Sequence, residues 1–130
     1  MKALFAFLAA AIAAVFLLSV HFAHAEGVVV GSNGVAFWNA NPETDIAGYK
    51  VHFGQTSGIY SIINNVGLTA TPTSPLVQLS TFGLAEGQWY FAVSAYDLAG
   101  NESGLSLNIP FVFDLTAPTD PTGAGVRTKP

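Results

Sequence analysis

From Gly87 to Asp97 the side chains sort with a period of two. Trp89, Phe91, Val93 and Ala95 fall on one side of an extended chain, and Tyr90, Ala92, Ser94 and Tyr96 on the other. Alternation over this length predicts a strand with one face in a core. Turn signals bound it, Glu86-Gly87 before and Ala99-Gly100-Asn101 after. Helical periodicity is absent beyond residue 25. Short β-type runs recur instead at 28–30, 35–38, 49–53, 59–63, 76–79, 87–97 and 105–113, separated by Gly, Pro, Asn and Ser. Closely spaced strands without intervening helices predict an all-β sandwich rather than βαβ units.

The same alternation assigns an interior. Ala36 and Trp38, then Tyr49, Val51 and Phe53, then Val77 and Leu79, then Trp89, Phe91, Val93 and Ala95 are expected to face inward, with Leu84 plugging one end. In the last run, from Leu105 to Phe113, Leu105, Leu107 and Ile109 alternate. Pro110 removes a ladder donor there, so that strand is expected at an edge, or bulged at the proline. Phe37 is expected outward on the other sheet.

Residues 1–25 read as a signal peptide. Met1-Lys2 gives a positive start, an apolar stretch follows to Val20, and Ala23-His24-Ala25 has the small-x-small form of a cleavage site after Ala25. The stretch is also just long enough to span a bilayer, so a retained anchor is the alternative. It contains no Cys, which excludes a lipoprotein linkage. Removing 25 of 130 residues leaves 105, enough for one sandwich at 26–114 followed by a Pro- and Thr-rich linker or disordered tail at 115–130. The mean hydropathy of +0.47 owes much to the leader and does not signal a membrane domain.

The formal net charge is −4, and losing Lys2 makes it −5. Of the remaining cations Lys50, Arg127 and Lys129, two lie in the final four residues. Nucleic acid is therefore not an expected partner, since phosphate binding needs a basic surface. With no cysteine anywhere, an exported chain of this size relies on its core alone. That composition suits a secreted or periplasmic bacterial protein.

Phe37-Trp38-Asn39-Ala40-Asn41-Pro42-Glu43, Asp45-Ile46-Ala47-Gly48-Tyr49-Lys50-Val51, Gly83-Leu84 with Gly87, and Tyr90-Phe91-Ala92-Val93-Ser94-Ala95-Tyr96-Asp97 closed by Ala99-Gly100-Asn101-Glu102-Ser103 together resemble a bacterial fibronectin type III domain. The resemblance covers residues 28–113, and Thr116-Ala117-Pro118 looks like the linkers that follow such domains. It implies a seven-stranded, two-sheet Greek-key module of immunoglobulin-like type that spaces or binds extracellular components, with no catalytic residues and no cofactor. Trp89 stands where the family has its corner tyrosine; its indole can donate to a backbone carbonyl but cannot accept as a phenol does. No Arg-Gly-Asp occurs at 98–103, so integrin-type adhesion has no support.

Chemistry-bearing residues are few. His52 is the one histidine beyond the leader. Between inward Val51 and Phe53 it is expected to face solvent beside Lys50, without the nucleophile and orienting acid of a triad. Asp97, Asn101 and Glu102 supply oxygens at one turn, short of the six to eight calcium takes unless Glu43 or Asp45 joins. The plainer reading is that they serve the turn itself, and no metal is expected. Asn101-Glu102-Ser103 is formally a glycosylation sequon.

The outward face of the 87–97 strand offers more. Tyr90 and Tyr96 are expected to share a sheet surface with Lys50 and His52, and exposed aromatics with a polar tip suit sugar rings or a protein partner. The alternative is that they only cover cross-strand neighbours. The expected function is a non-catalytic, monomeric binding or spacing module meeting an extracellular polysaccharide or an envelope protein. It would have no membrane attachment once the leader is cleaved. The alternative is a structural subunit of an extracellular assembly, exchanging edge strands at 28–30 or at the proline-interrupted last strand.

Overall fold

Seven short β-formers punctuated by glycine and proline close into two layers. The structure is a computed structural model that describes residues 27–130; the expected leader lies outside them. The strands are β1 Val28–Val30, β2 Val35–Phe37, β3 Ile46–Gly54, β4 Ile62–Gly67, β5 Leu76–Gln78, β6 Gly87–Asp97 and β7 Ile109–Phe113, with one 3-10 turn at Leu79–Phe82. A five-stranded sheet runs β1-β7-β6-β3-β4, and β2 pairs with β5 in a two-stranded sheet opposite it. Every pairing is antiparallel except β1 with β7.

The alternating residues form the core as expected. Val51 and Phe53 are fully buried, joined by Ala36, Tyr49, Leu79, Leu84, Trp89, Phe91, Val93 and Ala95. Trp38 and Val77 are half-buried against this cluster. Aromatic rings tie the layers. Trp38 meets Tyr49 edge-on at 5.2 Å between centroids, and Phe53 lies 5.0 Å from Phe82 and 5.5 Å from Phe91. Such pairs add about 0.5–1.5 kcal/mol each beyond simple burial. The Trp89 indole donates to the Ala85 carbonyl at 2.8 Å, fastening the turn before β6. The Trp38 indole nitrogen is buried without a partner among the described residues.

The last strand departs from expectation twice. It starts at Ile109 rather than Leu105, with Leu105, Leu107 and Ile109 exposed and Phe111 and Phe113 buried. Nor is β7 an edge, because β1 lies beside it. Pro110 is accommodated because the β1 register begins one residue later, at Val28 opposite Phe111. Gly27 passes the Pro110 carbonyl so closely that a Cβ would sit 1.9 Å from its oxygen.

Ahead of β7 the chain reaches β6 through serines. Ser103 and Ser106 donate their backbone N–H groups to the Ala95 and Val93 carbonyls, at 2.8 Å each. Their hydroxyls accept from the amides of the same two residues, at 2.9 and 3.0 Å. Three residues thus span a repeat of two on β6, which bows Gly104 and Leu105 outward.

The fourth strand starts at Ile62, later than expected. Ile59 and Tyr60 belong instead to the turn after β3, closed by a Thr56–Ile59 bridge and by Ser61 donating to the Phe53 carbonyl at 3.0 Å. Residues 115–130 carry no helix or strand, although Leu115 and Thr116 are clipped to Glu86 Oε1 at 2.7 and 2.8 Å.

Candidate functional site

Strands β3 and β6 position the polar groups of the large sheet's outer face. Their register sets Gly48 opposite Tyr96, Lys50 opposite Ser94, His52 opposite Ala92 and Gly54 opposite Tyr90. The inward neighbours are locked in the core, so these side chains must point away from it.

His52 does point outward, but it is 7% exposed rather than solvated. Tyr60 lies over it on one side, its ring crossing the imidazole at 71° with centroids 5.9 Å apart. Tyr60 is held by its hydroxyl donating to Asn108 Oδ1 at 2.7 Å, and the same Asn108 donates to Ser57 Oγ at 3.0 Å. A turn placed far from Asn108 in sequence is thereby pinned over the histidine. Burial pushes the His52 pKa down, the Lys50 charge adds to that, and the Glu102 carboxylate opposes it. Burial likewise pushes the Tyr60 phenol up.

A continuous polar chain runs from this histidine. His52 Nε2 lies 3.0 Å from Ser94 Oγ, Ser94 donates to Glu102 Oε1 at 2.7 Å, and Lys50 Nζ meets Glu102 Oε2 at 2.5 Å. Hydrogen bonds from Lys50 and Ser94 hold the Glu102 carboxyl below its usual range, so it stays ionised near neutral pH. A serine hydroxyl has one proton to donate, and its hydrogen bond goes to Glu102. His52 Nε2 is then the donor to Ser94, not its base. This arrangement leaves the hydroxyl unactivated, because a serine nucleophile must pass its proton to the imidazole.

Tyr96 closes one end of the face. Its ring lies across Gly48, where a Cβ would stand 2.5 Å from the phenol oxygen. Its hydroxyl donates to Asn65 Oδ1 at 2.9 Å, and Lys50 Nζ sits 5.9 Å from its ring centroid, within cation–π reach. Tyr90 is half-buried at the other end. Six residue steps along the strand separate it from Tyr96, about 20 Å at the rise of an extended chain. The register therefore sets Tyr96 diagonal to Lys50 and Tyr90 diagonal to His52, at opposite ends of one face.

The turn carboxylates are already engaged. Asp97 Oδ1 accepts from the amides of Ala99 at 2.9 Å and Asn101 at 2.8 Å, and Oδ2 accepts from Asn101 Nδ2 at 2.9 Å. The Asn101 bonds are the main reason its pKa is lowered. Among the described residues no group of three or more His, Cys, Asp or Glu is placed to hold a metal ion.

Ser94, Asn65 and Tyr60 were not singled out from the sequence, and Glu102 was read only as a turn oxygen. For Ser94 the signal was present, since alternation puts it outward opposite Lys50. For Tyr60, Asn65 and Asn108 there was none, because each acts across a turn or a strand of unforeseen register.

No protein-family model and no curated protein matches the chain. Among solved structures it is similar to the crystal structure of the FN1-FN3 domains of chicken CNTN1, with a TM-score of 0.48 and 19% identity over 79% of this chain. The match spans 36% of that chain, about a third of its length.

Proposed function

We propose that the chain is a non-catalytic, fibronectin type III-like module, exported with its leader removed after Ala25, that binds an extracellular polysaccharide or an envelope protein. The observation behind this reading is the preformed outer face on β3 and β6. Tyr96 and Tyr60 stand beside a hydrogen-bonded row of His52, Ser94, Glu102 and Lys50. Rigid aromatics next to fixed donors and acceptors lose little entropy when a flat polar partner docks. The closed proton chain at Ser94 favours binding over catalysis. Among the described residues no helix is long and apolar enough to cross a membrane. The export part of the reading rests on the leader's sequence.

Affinity electrophoresis against a panel of bacterial polysaccharides, with a pull-down from envelope extract, tests the reading. Tyr96→Ala, Tyr60→Ala and Tyr90→Ala are each expected to lose retention, since all three rings border the row from Lys50 to His52. Unchanged retention in all three variants, with the β-sheet circular dichroism intact, counts against it.

A further inference from the structure

We infer that the outer edge of β4 is a pairing surface for a second copy of this chain. The copies would meet antiparallel about a two-fold axis at Asn64. The inference is independent of what the tyrosine face binds and departs from the expectation of a monomer.

Among the described residues no strand pairs with that edge, since β4 ends the order β1-β7-β6-β3-β4. Backbone alternation shows which groups it presents. Val93 and Ala95 turn their amides and carbonyls toward Ser103 and Ser106. Ala92 and Ser94 therefore bond to β3, Val51 and Phe53 bond to β4, and Ile63 and Asn65 direct their N–H and C=O groups outward. Two such edges laid antiparallel with Asn64 opposite Asn64 set Ile63 against Asn65 at both ends. Each pair exchanges two hydrogen bonds, four in all. A self-complementary patch of this kind closes on itself and stops at two copies.

A bulge at Val66, between the pairs Lys50–Asn65 and Tyr49–Gly67, limits the regular edge to residues 62–65, which lack the other devices that normally prevent such pairing, namely charge and proline. β4 has six residues and no proline. No Asp, Glu, Lys or Arg occurs between Lys50 and Glu86. In a chain of net charge −4, this edge lets two copies meet without like-charge repulsion. Apolar groups flank the Asn64-Asn65 pair: Ile63 is 57% exposed, and Leu68, just past the strand, 56%. The opposite layer has only two strands against five, and Ile62 and Val66 remain half-buried at this end of the core. A strand edge alone falls short of the roughly 1,200 Å² buried in stable interfaces, so the pair is weak and forms at high local concentration.

The chain has no cysteine, which makes the test clean. In the proposed register Asn64 and its counterpart form a non-hydrogen-bonded pair with Cα atoms about 4.5 Å apart, inside the range a disulfide bridges. Asn64→Cys under mild oxidation is expected to give a covalent dimer about tenfold faster than Leu98→Cys on the distant β6 turn, because pairing raises the local thiol concentration. Adding Ile63→Pro or Ile63→Lys to Asn64→Cys should return the rate to that control. The proline loses no internal bond, since its N–H faces out. Equal rates at positions 64 and 98 would overturn the inference. So would fast cross-linking that survives both Ile63 changes in chains with an unchanged β-sheet spectrum. A chain that stays monomeric at millimolar concentration also sinks it, leaving the edge to a different partner.

Discussion

Ser94 donates its one hydroxyl hydrogen bond to Glu102, 2.7 Å away, and so fixes the direction of every hydrogen bond around His52. The imidazole lies between an anion and a cation, and each can be removed separately. Glu102→Gln takes away the charge that raises the His52 pKa, so that pKa should fall further; Lys50→Met takes away a charge that lowers it, so it should rise. Proton NMR titration of the imidazole Cε1–H reads both shifts. Movement in the same direction for the two variants would contradict the geometry.

The same histidine makes stability depend on pH. Its folded pKa lies below the 6.5 of the unfolded chain, so between those values the unfolded state binds more protons and folding is favoured as pH rises. The stability associated with neutral His52 is present above pH 6.5 and is lost as pH falls through the folded pKa. Urea midpoints across that window should decline with falling pH in the parent chain and flatten in His52→Gln. Glu102 and Asp97, both lowered from 4.5 and 3.8 respectively, add a further loss at more acid pH in both proteins.

The two tryptophans should respond differently to the same change. Trp89→Phe deletes the donor to the Ala85 carbonyl, whereas Trp38→Phe deletes a nitrogen that already lacks a partner. Beyond the volume lost in each, Trp89→Phe should cost about 0.5–1.5 kcal/mol more, the net worth of a hydrogen bond whose acceptor on exposed Ala85 can turn to water. Chemical denaturation of the two variants measures the gap. Equal losses would mean that the Ala85 bond contributes nothing.

Gly54 is the tightest point of the β3–β4 turn. A Cβ there would stand 1.8 Å from the Ile59 carbonyl oxygen, which is backbone and cannot swing aside. Gly54→Ala should open the turn, release Tyr60 from His52 and lower the melting temperature. Gly104→Ala, with nothing within 4 Å of the added carbon, should leave it nearly unchanged.

Ser106→Ala should destabilise by about 1–3 kcal/mol, because the amide of buried Val93 then loses its acceptor. Hydrogen exchange gives the local check: the Val93 amide should exchange faster in the variant, while that of Ala92, bonded on the β3 side, should not.

The interior was legible because one periodicity governs it. Tyr49, Val51, Phe53, Trp89, Phe91 and Val93 sit where a two-residue repeat puts them. The start of the last strand is not legible, because 105, 107, 109, 111 and 113 share one parity and all are apolar. Only the serine detour along β6 decides that Phe111 and Phe113, and not the two leucines, reach the core. The outer face was half legible: alternation tells which way His52 points, not what lies over it. The cover is Tyr60, anchored 48 residues away on Asn108, and no local pattern encodes that distance.

The parallel run of β1 beside β7 bears on how the domain would carry load. Val28, Val29 and Val30 follow Phe111, Val112 and Phe113 in the same direction. Tension drawn between Gly27 and Asp114 would slide these two strands lengthwise past one another. Their cross-links would then have to yield together instead of unzipping singly, the geometry in which a short ladder resists stretching best.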